Sequence, residues 1–533
     1  MMADLKRFFS EKQKVIVTFC FILLVINTQI KQTAVWYSQI YIATFHATEI
    51  IMSLLIMSHY KIEELRRFKW VYIIYSAIAV IIGSVYLYIR FKDYKTYLFS
   101  SGILLVLGLY MIGFCAICAI ISWVKIGRKV TVNKTAFILW LLLMLLMSIS
   151  AGSYNFYALR FFLCLLVLYL TPQTEIQRKN VFDGMIIGLI IGFLCEFGFC
   201  LLFRPYDIVR YLGNFSNPNH NCLFLDFIYA AVLGGLLIAH KNESRKTLRI
   251  LLYVILGIVL SNIYMTASRS GWMGAFAVTV LYLLFHGKII GKNVLKQLLR
   301  MALVFMIGLP LTYAAIRYVP LTNPYVKLYY YDNHHFHSVL RENKFDQSNY
   351  ITFTQMLFSP LGRFRVLFGV DAVPGDVDIP EVPAQDVSAD MEPILTAEEA
   401  ADPIVVRYTI YKWYVEHLSL RGVPYEEQGF LLTAEHWIQD THDIFLAYGM
   451  DYGVPAMILF ACLIIYSVVY SIRKGIREKD VYKALAVMIL IIPPVAGLFE
   501  YAWGYGLLSM NCLYFVMKDV VTVNEGSSDT SHL

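Results

Sequence analysis

Successive apolar runs, most of them long enough to cross a bilayer as a helix, decide what this chain can fold into. A window of about 19 residues finds them near 14–30, 34–58, 70–90, 97–124, 136–152, 157–171, 184–203, 221–239, 250–267, 270–286, 301–318, 445–472, 484–499 and 503–517. Of the 533 residues, 58% are hydrophobic and only 16% charged, with a mean hydropathy of +0.60. Ordinary soluble domains carry about one-quarter charged residues. A soluble fold of this length could not hide so much apolar surface, which excludes a cytosolic enzyme. In lipid every backbone N–H and C=O must be paired internally, so the expectation is an all-α polytopic integral membrane protein of about 12–14 transmembrane helices.

Lys6, Arg7, Lys12 and Lys14 precede the first run, no small-residue cleavage site follows it, and a second run comes next. This reads as a retained span rather than a removed signal peptide. With the N-terminus cytoplasmic, the inside loops are 59–69, 125–135, 172–183, 240–249, 287–300 and 473–483, and each carries Lys or Arg. The alternate loops are short and poor in such residues, apart from Arg90, Lys92 and Lys95. The one large loop, 319–442, falls outside and holds 18 Asp and Glu against 8 Lys and Arg. That asymmetry follows the positive-inside rule. The net charge of +7 therefore belongs to membrane topology, and no nucleic-acid partner is expected.

The expected organisation is a membrane domain over 1–318 with eleven spans, the extracytoplasmic loop 319–442, C-terminal spans over 443–518 and a cytoplasmic tail over 519–533. Within the loop, 371–402 is acidic and rich in Pro and Ala and reads as an insertion. Near 404–420 an amphipathic helix is expected, with a stripe at 404, 408, 411, 415 and 418 that suits the membrane–water boundary. The nine cysteines lie almost all inside apolar runs and form no disulfide framework; the Cys115/Cys118 pair reads as buried small side chains. There is no internal repeat, no GxGxxG and no P-loop, which argues against a nucleotide-driven pump.

Four outward segments carry candidate chemistry: GNFSNPNHN (213–221), TASRSGW (266–272), VVRYTIYKWY (405–414) and THDIFLAYGMDYGVP (441–455). Arg269 sits at a helix-pair turn between Ser268 and Ser270, and Arg407 lies one turn before Tyr411. A guanidinium at this depth either anchors at the boundary or meets an anion such as phosphate. His442, flanked by Asp440 and Asp443, is a candidate base because an imidazole accepts a proton near neutral pH. His334, His335 and His337 lack the usual spacing of metal ligands. Inside the spans, His46, Glu49, Arg160, Glu196 and Asp226 either pair between helices or line a polar cavity, where Arg160 could meet an anion.

Taken in order, the four segments resemble the bacterial O-antigen ligase and polysaccharide polymerase family (the Wzy/WaaL type). The matching residues are Gly213-Asn214-Phe215 with Asn217 and Asn219, Ser268-Arg269-Ser270-Gly271, Arg407 followed by an aromatic helix with Tyr411, and His442 with Gly449 and Gly453. The likeness covers roughly 205–470; the first six spans match only in hydropathy. It implies a GT-C-like, metal-independent, inverting glycosyltransferase with no cofactor. Such an enzyme moves a glycan from an undecaprenyl-diphosphate carrier to an acceptor hydroxyl on the outer face of a bacterial cell membrane. Carried over, Arg269 and Arg407 would hold the diphosphate and His442 would be the general base, with Asn217, Asn219 and Tyr411 as further substrate contacts. The implied partners are a lipid-linked oligosaccharide donor, a glycan or lipid acceptor, membrane lipids and other polysaccharide export proteins. Two departures stand out. Asp443 follows the histidine where the family often has Asn, and Gly362-Arg363 makes Arg363 a rival for the role given to Arg407. The alternative from another class is a transporter or flippase of lipid-linked oligosaccharide.

Overall fold

The computed structural model describes residues 11–33, 38–60, 66–93, 99–125, 130–152, 155–204, 206, 210–215, 217–243, 246–323, 351–358, 394–396, 403–424, 427–433, 436–438, 441, 443–498 and 508–523. Its helices are α1 (Lys12–Thr33), α2 (Ser38–Met57), α3 (Lys69–Asp93), α4 (Phe99–Val124), α5 (Lys134–Ser148), α6 (Asn155–Tyr169), α7 (Glu175–Phe203), α8 (Pro218–Lys241) and α9 (Lys246–Met265). Then follow α10 (Arg269–Phe285), a π-helical turn (His286–Ile290), α11 (Val294–Tyr318), α12 (Pro403–Glu416), α13 (Ile444–Tyr452), α14 (Val454–Glu478), α15 (Val481–Leu490), α16 (Ile492–Ala496) and α17 (Leu508–Val521). The strands are short: β1 (Thr131–Val132), β2 (Phe430–Thr433), β3 (His436–Ile438) and β4 (Thr522–Val523).

Among the described residues, nine helices are long and apolar enough to cross a membrane: α1, α3, α4, α7 to α11 and α14. The chain is thus an all-α polytopic membrane protein in its described part. Burial sorts the spans. In α8, 89% of the apolar window is inside the protein, against 11% in α3. So α8 is the central post, with α7, α9, α10 and α15 packed around it, and α3 presents its side to lipid. Where the solvent is hydrocarbon, exposed Ile73, Ile74, Ile81 and Ile82 cost nothing. Helix contact instead comes from close approach. Gly184, Gly188 and Gly192 form one stripe on α7 against α1, and a Cβ at Gly188 would lie 2.6 Å from the Thr18 carbonyl.

Two sequence expectations change. The run 445–472 is two helices: Gly453, at φ +93°, breaks it between α13 and α14. The run 484–499 is likewise split into α15 and α16, where Pro493 and Pro494 supply no N–H to the helical ladder. The α5 and α6 helices have 15 residues each, about 22 Å of rise and less than a full hydrocarbon core.

The connections segregate to two ends. At one, β1 pairs antiparallel with β4, Lys241 Nζ donates to the Lys479 carbonyl at 2.6 Å, and Arg178 on α7 bridges Asp480 at 2.8 Å and Asp519 at 2.5 Å. This is the end of the basic loops. At the other end α12 lies over the β2–β3 hairpin in a small lobe. There Val406, Ile410 and Tyr414 are buried with Phe430, Leu432 and Ile438. The stripe Tyr408 and Val415 is exposed. The helix therefore has two apolar faces, of which the sequence periodicity had singled out the outer one. Most of the insertion 371–402 lies outside the described residues.

Candidate functional site

Arg269 is the first residue of α10. Its neighbour Ser268 caps the helix, accepting from the Gly271 N–H at 3.4 Å, and the Ser268 and Ser270 hydroxyls meet at 3.0 Å. Before the cap, Ala267 holds a left-handed φ of +48°, a conformation that costs energy for a residue with a Cβ. Gly271 is required next: a Cβ there would overlap the Cys222 side chain of α8. The unpaired N–H groups at the start of a helix attract anions and repel cations. A guanidinium at that position is therefore electrostatically misplaced for the helix alone and well placed for a bound anion.

The GNFSNPNHN loop is stitched to this turn. Asn217 caps α8, taking the Asn219 N–H at 2.8 Å. Arg210, which the sequence reading passed over, is buried between the two segments: Nε donates to the Thr266 carbonyl at 3.1 Å and Nη2 to Asn219 Oδ1 at 2.5 Å. The Tyr211 N–H adds a bond to the Met265 carbonyl at 2.9 Å. Asn219 is thus engaged by Arg210, and the first two motifs form one unit.

The third and fourth motifs meet at the end of α16. The half-buried Arg407 donates from Nη1 to the Tyr411 hydroxyl at 3.5 Å, and that hydroxyl donates to the Leu498 carbonyl at 3.4 Å. One residue earlier, the Gly497 carbonyl accepts from the Ile444 N–H at 2.7 Å. Asp443 caps α13, its Oδ1 accepting from Phe445 and Leu446 at 2.8 and 2.9 Å. Burial pushes the Asp443 carboxyl up, and these two N–H groups act in the opposite sense. One oxygen of that carboxylate, Oδ1, is thus engaged at the helix start. Thr441 brackets position 442 from the other side, its hydroxyl donating to the Asp443 carbonyl at 2.8 Å. His442, Asp440, Arg363 and the histidines 334, 335 and 337 lie outside the described residues.

The link between the two halves is α16 itself. It packs on α10, where Gly274 stands so close to Ala496 that a Cβ would lie 3.3 Å from the alanine methyl. Ala496, Gly497 and Leu498 therefore touch, in turn, the helix of Arg269, the chain next to His442 and the Tyr411 that holds Arg407. Nothing in hydropathy marks these three residues. Beneath them Asp226 of α8 is buried against Gly274, and neither carboxyl oxygen has a hydrogen-bond partner among the described residues.

Arg160 has a different setting. It is 3% exposed and bonded to Glu49 and, at 3.1 Å, to His46 Nδ1. Of the two readings open for it, helix pairing is what the structure contains. Glu196 accepts from Cys200 Sγ at 3.2 Å and lies beside Gly213.

Compared with protein-family models, with curated proteins and with solved structures, the chain gives no significant match.

Proposed function

We propose that this chain is an integral-membrane glycosyltransferase of the O-antigen ligase or polysaccharide polymerase type, GT-C-like in fold, acting at the outer face of a bacterial cell membrane. In this reading the N-terminus is cytoplasmic and the acidic loop extracytoplasmic. The donor is a glycan on undecaprenyl diphosphate and the acceptor a hydroxyl of a glycan or lipid. The acceptor oxygen attacks the anomeric carbon, the bond from that carbon to the diphosphate oxygen breaks, and its electron pair leaves on the diphosphate. Attack from the far side inverts the configuration. His442 takes the acceptor proton, and Arg269 and Arg407 stabilise the negative charge that grows on the leaving group. The α10 N-terminus contributes in the same sense.

The observation that supports this reading best is the meeting of the Arg269, Arg407 and residue 441–444 segments around Ala496–Leu498. The transporter alternative has an observation of its own: two helix runs broken at Gly453 and at Pro493–Pro494, since discontinuous helices line the binding sites of many transporters. One experiment separates them. Purified protein in detergent, given donor and acceptor, makes product if it is an enzyme, whereas a transporter needs a sealed membrane. Ala at Arg269, Arg407 or His442 should leave the protein folded and stop transfer.

A further inference from the structure

At the end of the bundle opposite Arg269 lies a polar cluster that the proposed reaction does not use. His240 stands in the last turn of α8, Tyr253 on α9, His286 opens the π-helical turn after α10, and Gln297 stands near the start of α11. The Tyr253 hydroxyl donates to Gln297 Oε1 at 2.8 Å, and Gln297 Nε2 donates to the Tyr282 hydroxyl at 2.7 Å. The Tyr253 oxygen is left to accept from His240 Nε2 at 3.2 Å. In the neutral ring this puts the hydrogen on Nε2 and a lone pair on Nδ1.

Four nitrogens then remain unsatisfied at this end of the bundle. His240 Nδ1, both ring nitrogens of His286 and Nε of Arg249 are buried with no hydrogen-bond partner among the described residues. His240 and His286 are 4% and 1% exposed, and their rings stand 5.4 Å apart at 87°. Arg249 lies one turn before Tyr253 on α9. Outside the imidazole pair itself, the charges that act on the two rings are Lys292 and Arg300, with Arg249 on His240, and all three are positive. Gly291, in the left-handed region at φ +70°, turns the chain back to bring Lys292 to this end. A π-turn of this kind is often kept where a site needs it.

Buried donors and acceptors without partners are rare because each is costly. A metal cation would meet three positive charges here. A fully ionised anion would accept from Arg249 Nε and from the single N–H of a neutral His286 and leave the His240 lone pair facing it. A phosphate that carries a P–OH satisfies both. We infer that this end of the bundle binds a phosphate with an ionisable hydroxyl, either inorganic phosphate or a lipid phosphate monoester. Its P–OH donates to His240 Nδ1, and its P–O⁻ oxygens accept from Arg249, His286 and Lys292.

The full-length protein in detergent, titrated with radiolabelled inorganic phosphate against sulfate at equal ionic strength, tests the soluble source. Nanodiscs containing phosphatidate, against the same fraction of phosphatidylglycerol, test the lipid source by the rise in unfolding temperature. Saturable binding of phosphate but not sulfate, or stabilisation by phosphatidate but not phosphatidylglycerol, supports the site and tells which source fills it. Arg249→Gln, at a half-buried position that leaves the fold intact, should weaken that binding about tenfold or more, and His286→Ala should remove it. Failure of both phosphate and phosphatidate, equal response to sulfate and phosphatidylglycerol, or unchanged binding by Arg249→Gln overturns the inference.

Discussion

The Ile444 backbone N–H donates to the Gly497 carbonyl at 2.7 Å, and this bond fixes the start of α13, two residues from His442, to the end of α16. A Cβ at Gly497 would come within 2.6 Å of Ile444 Cγ2. Gly497→Ala should therefore push the two apart at a cost of about 1–3 kcal/mol. The variant should stay in the membrane and unfold at lower temperature in detergent, with transfer falling more than stability does. An unchanged unfolding temperature would show that the contact is slack.

Arg210 should hold two motifs together. Arg210→Ala leaves the Thr266 carbonyl and Asn219 Oδ1 without its charged donors, a loss of about 1.5–3 kcal/mol for each such bond before relaxation. Thermal unfolding should show the drop, and Arg210→Lys should restore only part, because an ammonium cannot reach both acceptors with a fixed fork. Full rescue by Lys would argue that charge alone matters there.

Much of the fold can be read in the sequence because lipid makes hydropathy a direct report of the solvent. The spans of α1, α3, α4 and α7 to α11 stand out for that reason. The breaks at Gly453 and Pro493–Pro494 do not, since a window long enough to find a span averages over a single turn. The lobe hides for a related reason: α12 is apolar on two sides, so periodicity cannot choose between Tyr408 and Tyr414. Arg210 looks like one more boundary charge, because the partner that ties it to the second motif is the backbone carbonyl of Thr266, and a carbonyl has no letter. His240 and His286 end apolar runs singly, where topology rules count only Lys and Arg.

Asp443 separates a capping role from a chemical one. Asp443→Ala should destabilise α13 by about 1 kcal/mol through loss of the cap, whereas Asp443→Asn should keep both stability and transfer. The cap accepts two N–H bonds, which an amide oxygen can also do. Loss of transfer in the stable Asn variant would instead give the carboxylate a part in the chemistry.

The buried Arg160–Glu49 pair should behave as helix glue. Removing one partner leaves a charge stranded among helices, so Glu49→Leu alone should cost about 3–5 kcal/mol, and Glu49→Leu with Arg160→Met much less. Thermal unfolding of the single and double variants measures both. A double variant no better than the single would mean that the arginine contributes through its bond to His46 as well as through Glu49.

The most direct measurement is glycan transfer by the purified chain in detergent, with an undecaprenyl-diphosphate-linked donor and a hydroxyl acceptor, for wild type and for His442→Ala, Arg269→Ala and Arg407→Ala. The account predicts product from the wild type and a fall of about 10²-fold or more for His442→Ala, with comparable losses for the two arginine variants. Full activity of His442→Ala would contradict it. So would a wild type that makes no product in detergent yet moves the lipid-linked glycan across sealed vesicles.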